Sequence, residues 1–225
     1  LRQDFTVPVE ALCGGNDGVV LANPNAPTGR TLPLEEICRI LEADPNRVVM
    51  VDEAYADFGA RSAVELLNRY PNLVTVHTLS KSRSLAGMRI GYALGSQDLI
   101  AGVNCVKNSF NSYPLDRLAQ AAGEAAVRDT AYFEETRGKI MATRTWVTHR
   151  LREMGFQVHD SSSNFLFIAH PDHSGRVLQQ GLRDRGVLVR RFERPRIQDH
   201  LRVSIGTDEE MEAMCRAMEE ILKGQ

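Results

Sequence analysis

The sequence predicts an α/β protein, a mostly parallel sheet carrying helices, followed by a smaller α+β unit. Three observations lead there. Short apolar runs at 19–22, 48–51 and 74–76 alternate with helical or turn-rich stretches, the spacing of βαβ units. The 48–51 run has no polar residue, as expected of a strand covered on both faces. Beyond a long helix that follows Asp129 and Thr130, the pattern changes to short strands set between two capped helices.

Taken in order, residues 1–17 show no strong period. Residues 4–12 suggest an extended piece and a helical turn, closed by Gly14, Gly15, Asn16 and Asp17. After the 19–22 strand comes a loop of Pro, Asn and Gly at 23–29. Pro33, with Glu35 and Glu36 in the first turn, opens a helix that runs to about Ala43. Asp44 and Pro45 break it before the 48–51 strand. Residues 62–70 read as a helix and Pro71 turns the chain into the 74–76 strand; 90–94 is a fourth strand. Residues 99–107 and 115–128 are helical. In the long helix Phe133, Ile140, Val147 and Met154 recur every seventh position, and Gly155 ends it. Further strands are expected at 156–159, 165–169, 187–191 and 201–205. A helix capped by Ser174 lies between them, and a closing helix capped by Asp208 buries Met211, Met214, Met218 and Leu222. The domain change is expected inside the long helix, giving domains 1–130 and 131–225.

Bulk properties narrow the function. Of 225 residues, 43% are apolar and 25% charged, an ordinary globular composition, and the net charge of −2 gives no field for nucleic acid or an anionic membrane. No apolar run reaches the roughly 20 residues of a membrane span. No signal peptide is expected. Four scattered cysteines without a CxxC pair fit reduced thiols in a cytoplasmic protein. The arginine cluster at 183, 185, 190, 191, 194 and 196 is local and lacks interleaved aromatics, so it does not read as a nucleic-acid surface. His170 and His173 flank a Pro-containing turn and read as a solvated loop; no metal is expected.

The chemistry-bearing residues sit where strands end. Residues 74–95 read V-T-V-H-T-L-S-K-S-R-S-L-A-G-M-R-I-G-Y-A-L-G. A β-branched run stops at Thr78, Ser80 and Lys81, and a Gly-containing segment leads to Arg89. A lysine at the end of a buried strand is expected among apolar walls, where desolvation favours the neutral, nucleophilic amine. Thr78, Ser80 and Arg89 can converge on one phosphate beside it. Upstream, V-V-M-V-D-E-A-Y at 48–55 stops at Asp52 and Tyr55. A carboxylate there can keep a pyridine nitrogen protonated and a phenol can bond a ring hydroxyl. N-P-N-A-P-T-G at 23–29 again follows an apolar run. A nucleophilic lysine beside a phosphate site, facing a carboxylate, is what pyridoxal 5'-phosphate requires.

These segments resemble the class I/II aminotransferases, the fold type I pyridoxal-phosphate-dependent transferases, and among them most closely the histidinol-phosphate aminotransferases. The resemblance extends to S-Y-P-L-D-R-L-A-Q at 112–120, S-S-N-F-L-F at 162–167 and H-L-R-V-S-I-G-T at 200–207. It implies part of a large cofactor-binding domain followed by a small C-terminal domain. The family has a substantial portion before the point where this chain starts at Leu1, including a Gly-containing phosphate loop and an aromatic that stacks on the cofactor. The chain is therefore expected to be the C-terminal part of such an enzyme.

By resemblance, Lys81 is the catalytic lysine that links to the cofactor and moves the substrate Cα proton. Asp52, Tyr55, Thr78, Ser80 and Arg89 bind the cofactor with it. The family asparagine that also contacts the ring hydroxyl falls on Ala26, which cannot make that bond, so Asn25 is the candidate in its place. Arg202 resembles the arginine that binds the α-carboxylate of glutamate or 2-oxoglutarate, Arg190 a residue that holds the substrate phosphate, and Asn164 a substrate-side residue. The implied reaction moves an amino group between histidinol phosphate and 2-oxoglutarate in histidine biosynthesis, in a homodimer at full length. Two alternatives stand: another enzyme of the fold, such as an aromatic aminotransferase or a threonine-phosphate decarboxylase, or an inactive fragment that binds no cofactor.

Overall fold

In the computed structural model, which describes residues 1–15 and 17–224, the chain divides by its internal contacts into two units. The first comprises 1–25 and 31–136; the second comprises 26–30 and 137–225. The division falls inside one long helix. Asn16, part of the expected turn at 14–17, lies outside the described residues.

The first unit is organised by a four-stranded sheet of order β1-β2-β3-β4, built from Val19–Ala22, Val49–Asp52, Leu73–Thr78 and Gly91–Gly95. β1, β2 and β3 are mutually parallel and β4 is antiparallel to β3. The parallel register sets Ala22 beside Asp52 and Asp52 beside Val76, and β4 starts with Gly91 opposite Thr78. Four strand ends therefore meet along one edge. Alternation sends Val19, Leu21, Val49, Val51 and Leu73 to one face, where they pack with α1 (Val9–Cys13) and α2 (Leu34–Ala43) through Ile37, Ile40 and Leu41. The opposite face is less covered, and Val20 on it is 72% exposed. On β2, read as covered on both faces, Val49 and Val51 are buried and Met50 is half-buried.

α2 stops where its carbonyls gain side-chain partners. Buried Arg47 donates to Ile40 O at 3.2 Å, and buried Asn72 to Leu41 O at 3.3 Å. The helix expected at 62–70 is only a 3-10 turn, Ala63–Leu66. Ser62 caps that turn, Pro71 bars any continuation, and the Tyr70 hydroxyl is drawn back to Glu42 on α2. Two helices follow β4: α3 (Gln97–Phe110), with no buried residue, and α4 (Arg117–Arg128), capped by Asp116, which accepts Ala119 N–H at 2.8 Å. α5 (Thr130–Glu153) runs on to Gly155, whose φ of +88° ends it.

The second unit holds an antiparallel sheet of order β5-β6-β8-β7: Gln157–Val158, Phe165–Ala169, Leu201–Ser204 and Arg190–Arg191. Only two residues of the expected 187–191 strand pair. β6 is buried throughout. Leu166, Ile168, Leu201 and Val203 join Val147 and Leu151 of α5, Leu178 and Leu182 of α6 (Gly175–Asp184), and Met211, Met214 and Met218 of α7 (Asp208–Leu222) in one core. Leu222 packs only at its margin. The α7 cap is Thr207 rather than Asp208. The Thr207 hydroxyl accepts Glu210 N–H at 3.3 Å, and Glu210 accepts Thr207 N–H at 2.9 Å. Asp208, one residue inside, is spent on α5, accepting from Thr143 at 2.6 Å and Trp146 Nε1 at 2.9 Å.

In this unit Phe167 carries a stack of two imidazoles. His200 lies at 4.5 Å from it and His159 at 5.7 Å, with the two Nε2 atoms 3.5 Å apart. Burial is the main cause holding both below the ordinary imidazole range; Arg30 lowers His159 further and His159 lowers His200, while Asp160 and Asp199 oppose.

Two stability tests follow from the second unit. Gly29 has a φ of +75°, and a Cβ there would stand 2.3 Å from Ser161 Oγ; Gly29→Ala is expected to lower the urea midpoint, at a cost of about 1–3 kcal/mol. A depressed imidazole pKa means the unfolded chain takes up protons first. Stability should therefore fall as pH drops through about 6.5, and His159→Phe, which stacks without titrating, should flatten that slope in urea titrations from pH 8 to 5.

Candidate active site

In the first unit the sheet edge gathers seven of the ten candidate residues. Asp52 ends β2, half-buried, its carboxylate accepting Ala54 N–H at 3.0 Å. Tyr55 follows at the start of a 3-10 turn, Ala56–Phe58, anchored by buried Phe58. Thr78 ends β3. Its Oγ1 lies 2.9 Å from Ser80 Oγ and 3.1 Å from Ile90 O, and accepts Ser80 N–H at 3.0 Å. Arg89 leads into β4 with a left-handed φ of +54°, its guanidinium exposed and donating to Ala86 O at 3.0 Å.

Lys81 corrects one expectation. Its side chain is exposed rather than walled in by apolar groups. β3 stops at Thr78, so Lys81 lies three residues out in an irregular loop and leaves the sheet layer. Its ammonium stands over the Tyr55 ring, 5.5 Å from the centroid. Asn25 is half-buried in the turn after β1, while Ala26 is exposed. Asn23 of the same motif is structural: buried, it accepts Leu32 N–H at 2.7 Å and donates to Leu32 O at 3.1 Å, closing the loop.

Beneath this edge lies a polar cluster that the sequence did not single out. Pleating turns Glu53 away from Asp52 and into the protein, where its carboxylate accepts from Ala63 N–H at 2.6 Å and from the Ser62 hydroxyl. Burial pushes this carboxyl up, against the pull of those two bonds. His77 lies 3.6 Å from Glu53, 3.0 Å from Thr75 Oγ1 and stacked on Tyr92 at 4.9 Å. Burial holds its imidazole low, so the Glu53–His77 approach is not an ion pair at neutral pH. The only sequence signal for Glu53 was a second acid directly after Asp52.

The remaining three candidates belong to the second unit. Arg202 is half-buried on β8, its guanidinium 5.1 Å from the Phe165 ring centroid. Its Nε is buried and has no hydrogen-bond partner among the described residues. The register places Arg190 directly opposite Arg202, so both share one face. Arg190 is exposed over Phe192 at 5.5 Å. Arg191 points the other way, half-buried, donating to Gln198 O at 2.9 Å. Asn164 is half-buried, and its carbonyl accepts Ile205 N–H at 2.9 Å, which aligns it with the end of β8. Two cations facing each other repel, and a buried donor left unpaired costs free energy. A bound anion would offset both costs. Among the described residues no group of three His, Cys, Asp or Glu could hold a metal ion.

Known proteins are similar to this chain in sequence and fold. The profile of the family described as aminotransferase class I and II matches residues 2–218. Histidinol-phosphate aminotransferase 2 of Burkholderia lata is 50% identical over 99% of this chain and 62% of its own length. Histidinol-phosphate aminotransferase 1 of Bordetella parapertussis is 51% identical over 98% of this chain and 63% of its own. The chain thus spans a little under two thirds of these curated relatives. The crystal structure of histidinol-phosphate aminotransferase from Sinorhizobium meliloti, in complex with pyridoxal-5'-phosphate, superposes with a TM-score of 0.81 at 28% identity, covering 92% of this chain and 57% of that one. The fold is accordingly that of the fold type I pyridoxal phosphate enzymes, with a mostly parallel sheet in the first unit, and the chain belongs to the class I and II aminotransferase family.

Proposed function

We propose that this chain carries the cofactor- and substrate-binding residues of a pyridoxal-phosphate-dependent aminotransferase that exchanges an amino group between histidinol phosphate and 2-oxoglutarate, a step of histidine biosynthesis. The observation that carries the reading is that Asp52 and Thr78 end adjacent strands at one rim of the sheet, with Asn25, Tyr55, Ser80, Lys81 and Arg89 in the segments that flank these strand ends. The donor set fits the cofactor group by group. Two hydroxyls and a guanidinium suit a phosphate, a carboxylate suits a protonated ring nitrogen, and an exposed amine suits an aldehyde. The relatives' names support the same reading.

When bound, the cofactor supplies an electron sink for charge developing at the substrate Cα. The chain's residues supply the rest. Thr78, Ser80 and Arg89 hold the phosphate and fix the ring's position. Asp52 would stabilise the protonated ring nitrogen. Tyr55, with Asn25, bonds the ring hydroxyl. Lys81 provides the amine that links the protein to the cofactor and that takes and returns the Cα proton. Arg202 takes the α-carboxylate of glutamate or 2-oxoglutarate, giving its unpaired Nε a partner. Arg190 takes the phosphate of the other substrate, and Asn164 borders both.

The working enzyme is proposed to be a cytoplasmic homodimer. Exposed Phe110 and Tyr113, at 93% and 91%, supply apolar surface of the kind an interface covers. Among the described residues no helix is long and apolar enough to cross a membrane.

Two substitutions test this. Lys81→Ala is expected to abolish the absorbance band of the lysine–cofactor linkage and to cut glutamate formation from histidinol phosphate and 2-oxoglutarate by about 10²–10⁴-fold or more; retained turnover would refute the assignment. Arg202→Ala is expected to raise KM for 2-oxoglutarate by about 10- to 100-fold, the scale of a lost charged hydrogen bond, with Arg202→Lys intermediate. An unchanged KM would remove Arg202 from the substrate site.

A further inference from the structure

Lys81 is exposed, yet the main chain on both sides of it is held. On its N-terminal side, Ser80 N–H donates to Thr78 Oγ1 at 3.0 Å. On its C-terminal side, Ser82 is buried and its hydroxyl donates to the carboxylate of Asp57. Asp57 lies in the 3-10 turn that starts just after Tyr55, the residue whose ring lies under the Lys81 ammonium. The turn is itself fixed at both ends: Glu53 N–H donates to Val76 O at 2.8 Å, and Phe58 is buried. Arg83 adds a second anchor, donating to Ala126 O at 2.8 Å with its guanidinium 3.6 Å from the Phe133 ring centroid. The loop also closes on itself, through Ser84 N–H to Lys81 O at 3.2 Å and Leu85 N–H to Leu79 O at 3.0 Å.

We propose that Asp57 and Ser82 form a clasp that joins the carboxylate loop to the lysine loop and so positions the Lys81 amine over Tyr55. They are positioning residues, acting through the backbone at 81. An exposed lysine has four rotatable bonds and little intrinsic preference for one direction. Fixing the residues before and after it restricts the volume its amine searches, and the clasp ties that volume to the same segment that carries Asp52 and Tyr55. Proton transfer depends on sub-ångström placement, so a loosened origin at residue 81 affects the chemical step more than substrate binding.

The inference rests on the reading of Lys81 as the cofactor-linking amine, and its test separates the two. Cofactor-free protein is treated with limiting acetic anhydride, and acetylation of Lys81 is followed by peptide mass spectrometry with exposed Lys107 and Lys223 as internal references. Ser82→Ala and Asp57→Ala are each expected to change the Lys81 rate by about 2- to 10-fold, the scale of one hydrogen bond, leaving the references unchanged. The double variant should add nothing to either single one, because both remove the same bond. Ser82→Thr and Asp57→Asn, which keep a donor and an acceptor, should restore most of the native rate. In the loaded enzyme the Ala variants should lower kcat with KM for both substrates little changed. A Lys81 rate unaltered in the Ala variants, or additive effects in the double variant, would overturn the clasp, whatever Lys81→Ala does to turnover.

Discussion

The parallel register of β1, β2 and β3 is the constraint on which the rest of the first unit depends. Backbone hydrogen bonds between these strands leave no freedom in where Ala22, Asp52 and Thr78 end, because each strand's length is fixed against its neighbour. The reversal of β4 then returns Arg89 to the same edge. The packing of Val49, Val51 and Leu73 on Ile37, Ile40 and Leu41 holds that register, since a one-residue slip would turn these apolar side chains out and bury Met50 and Asp52 in their place. Core packing on one face of the sheet thereby sets the geometry of the candidate residues at its rim, the place where open parallel sheets receive ligands.

Two kinds of electrostatics operate in the chain. At the sheet edge, charged groups stay in partial contact with solvent and keep local partners: Asp52 with Ala54 N–H, Arg89 with Ala86 O. In the second unit, Arg190 and Arg202 face each other across β7 and β8, and Arg202 Nε has no hydrogen-bond partner among the described residues. Such an arrangement costs stability unless a negative ligand joins it. That cost sets Arg190 and Arg202 apart as the proposed anion-binding pair, where six arginines between 183 and 196 look alike in the sequence. Arg191 shows the contrast, since its guanidinium is spent on Gln198 O.

Much of this was legible in the sequence because local chemistry decided it. The runs at 19–22 and 165–169 are strands as read, and Ser174 caps its helix through Val177 N–H. The family was legible in the strand-end motifs, where side chains of distinct chemistry follow apolar runs at fixed order. What escaped depended on contacts distant in sequence. The 62–70 stretch has the composition of a helix, yet Glu53 and Glu42 draw Ser62 and Tyr70 in different directions. Thr207 outcompetes Asp208 as a cap because Asp208 is held by Thr143 and Trp146 on α5. The exposure of Lys81 was missed because it lies past the strand rather than in it, and strand periodicity says nothing about a loop. The Glu53, Ser62 and His77 cluster is assembled from three separate segments, so no short window of sequence contains it.

The central claim is that one amine, at Lys81, joins the cofactor at the edge that Asp52 also borders. Its most direct test is to load the protein with pyridoxal phosphate, reduce the linkage with borohydride and map the modified lysine by peptide mass spectrometry. The chain offers only Lys81, Lys107, Lys139 and Lys223. Stoichiometric modification confined to Lys81 is the expected result; modification distributed over the other three, or centred on one of them, would contradict the claim.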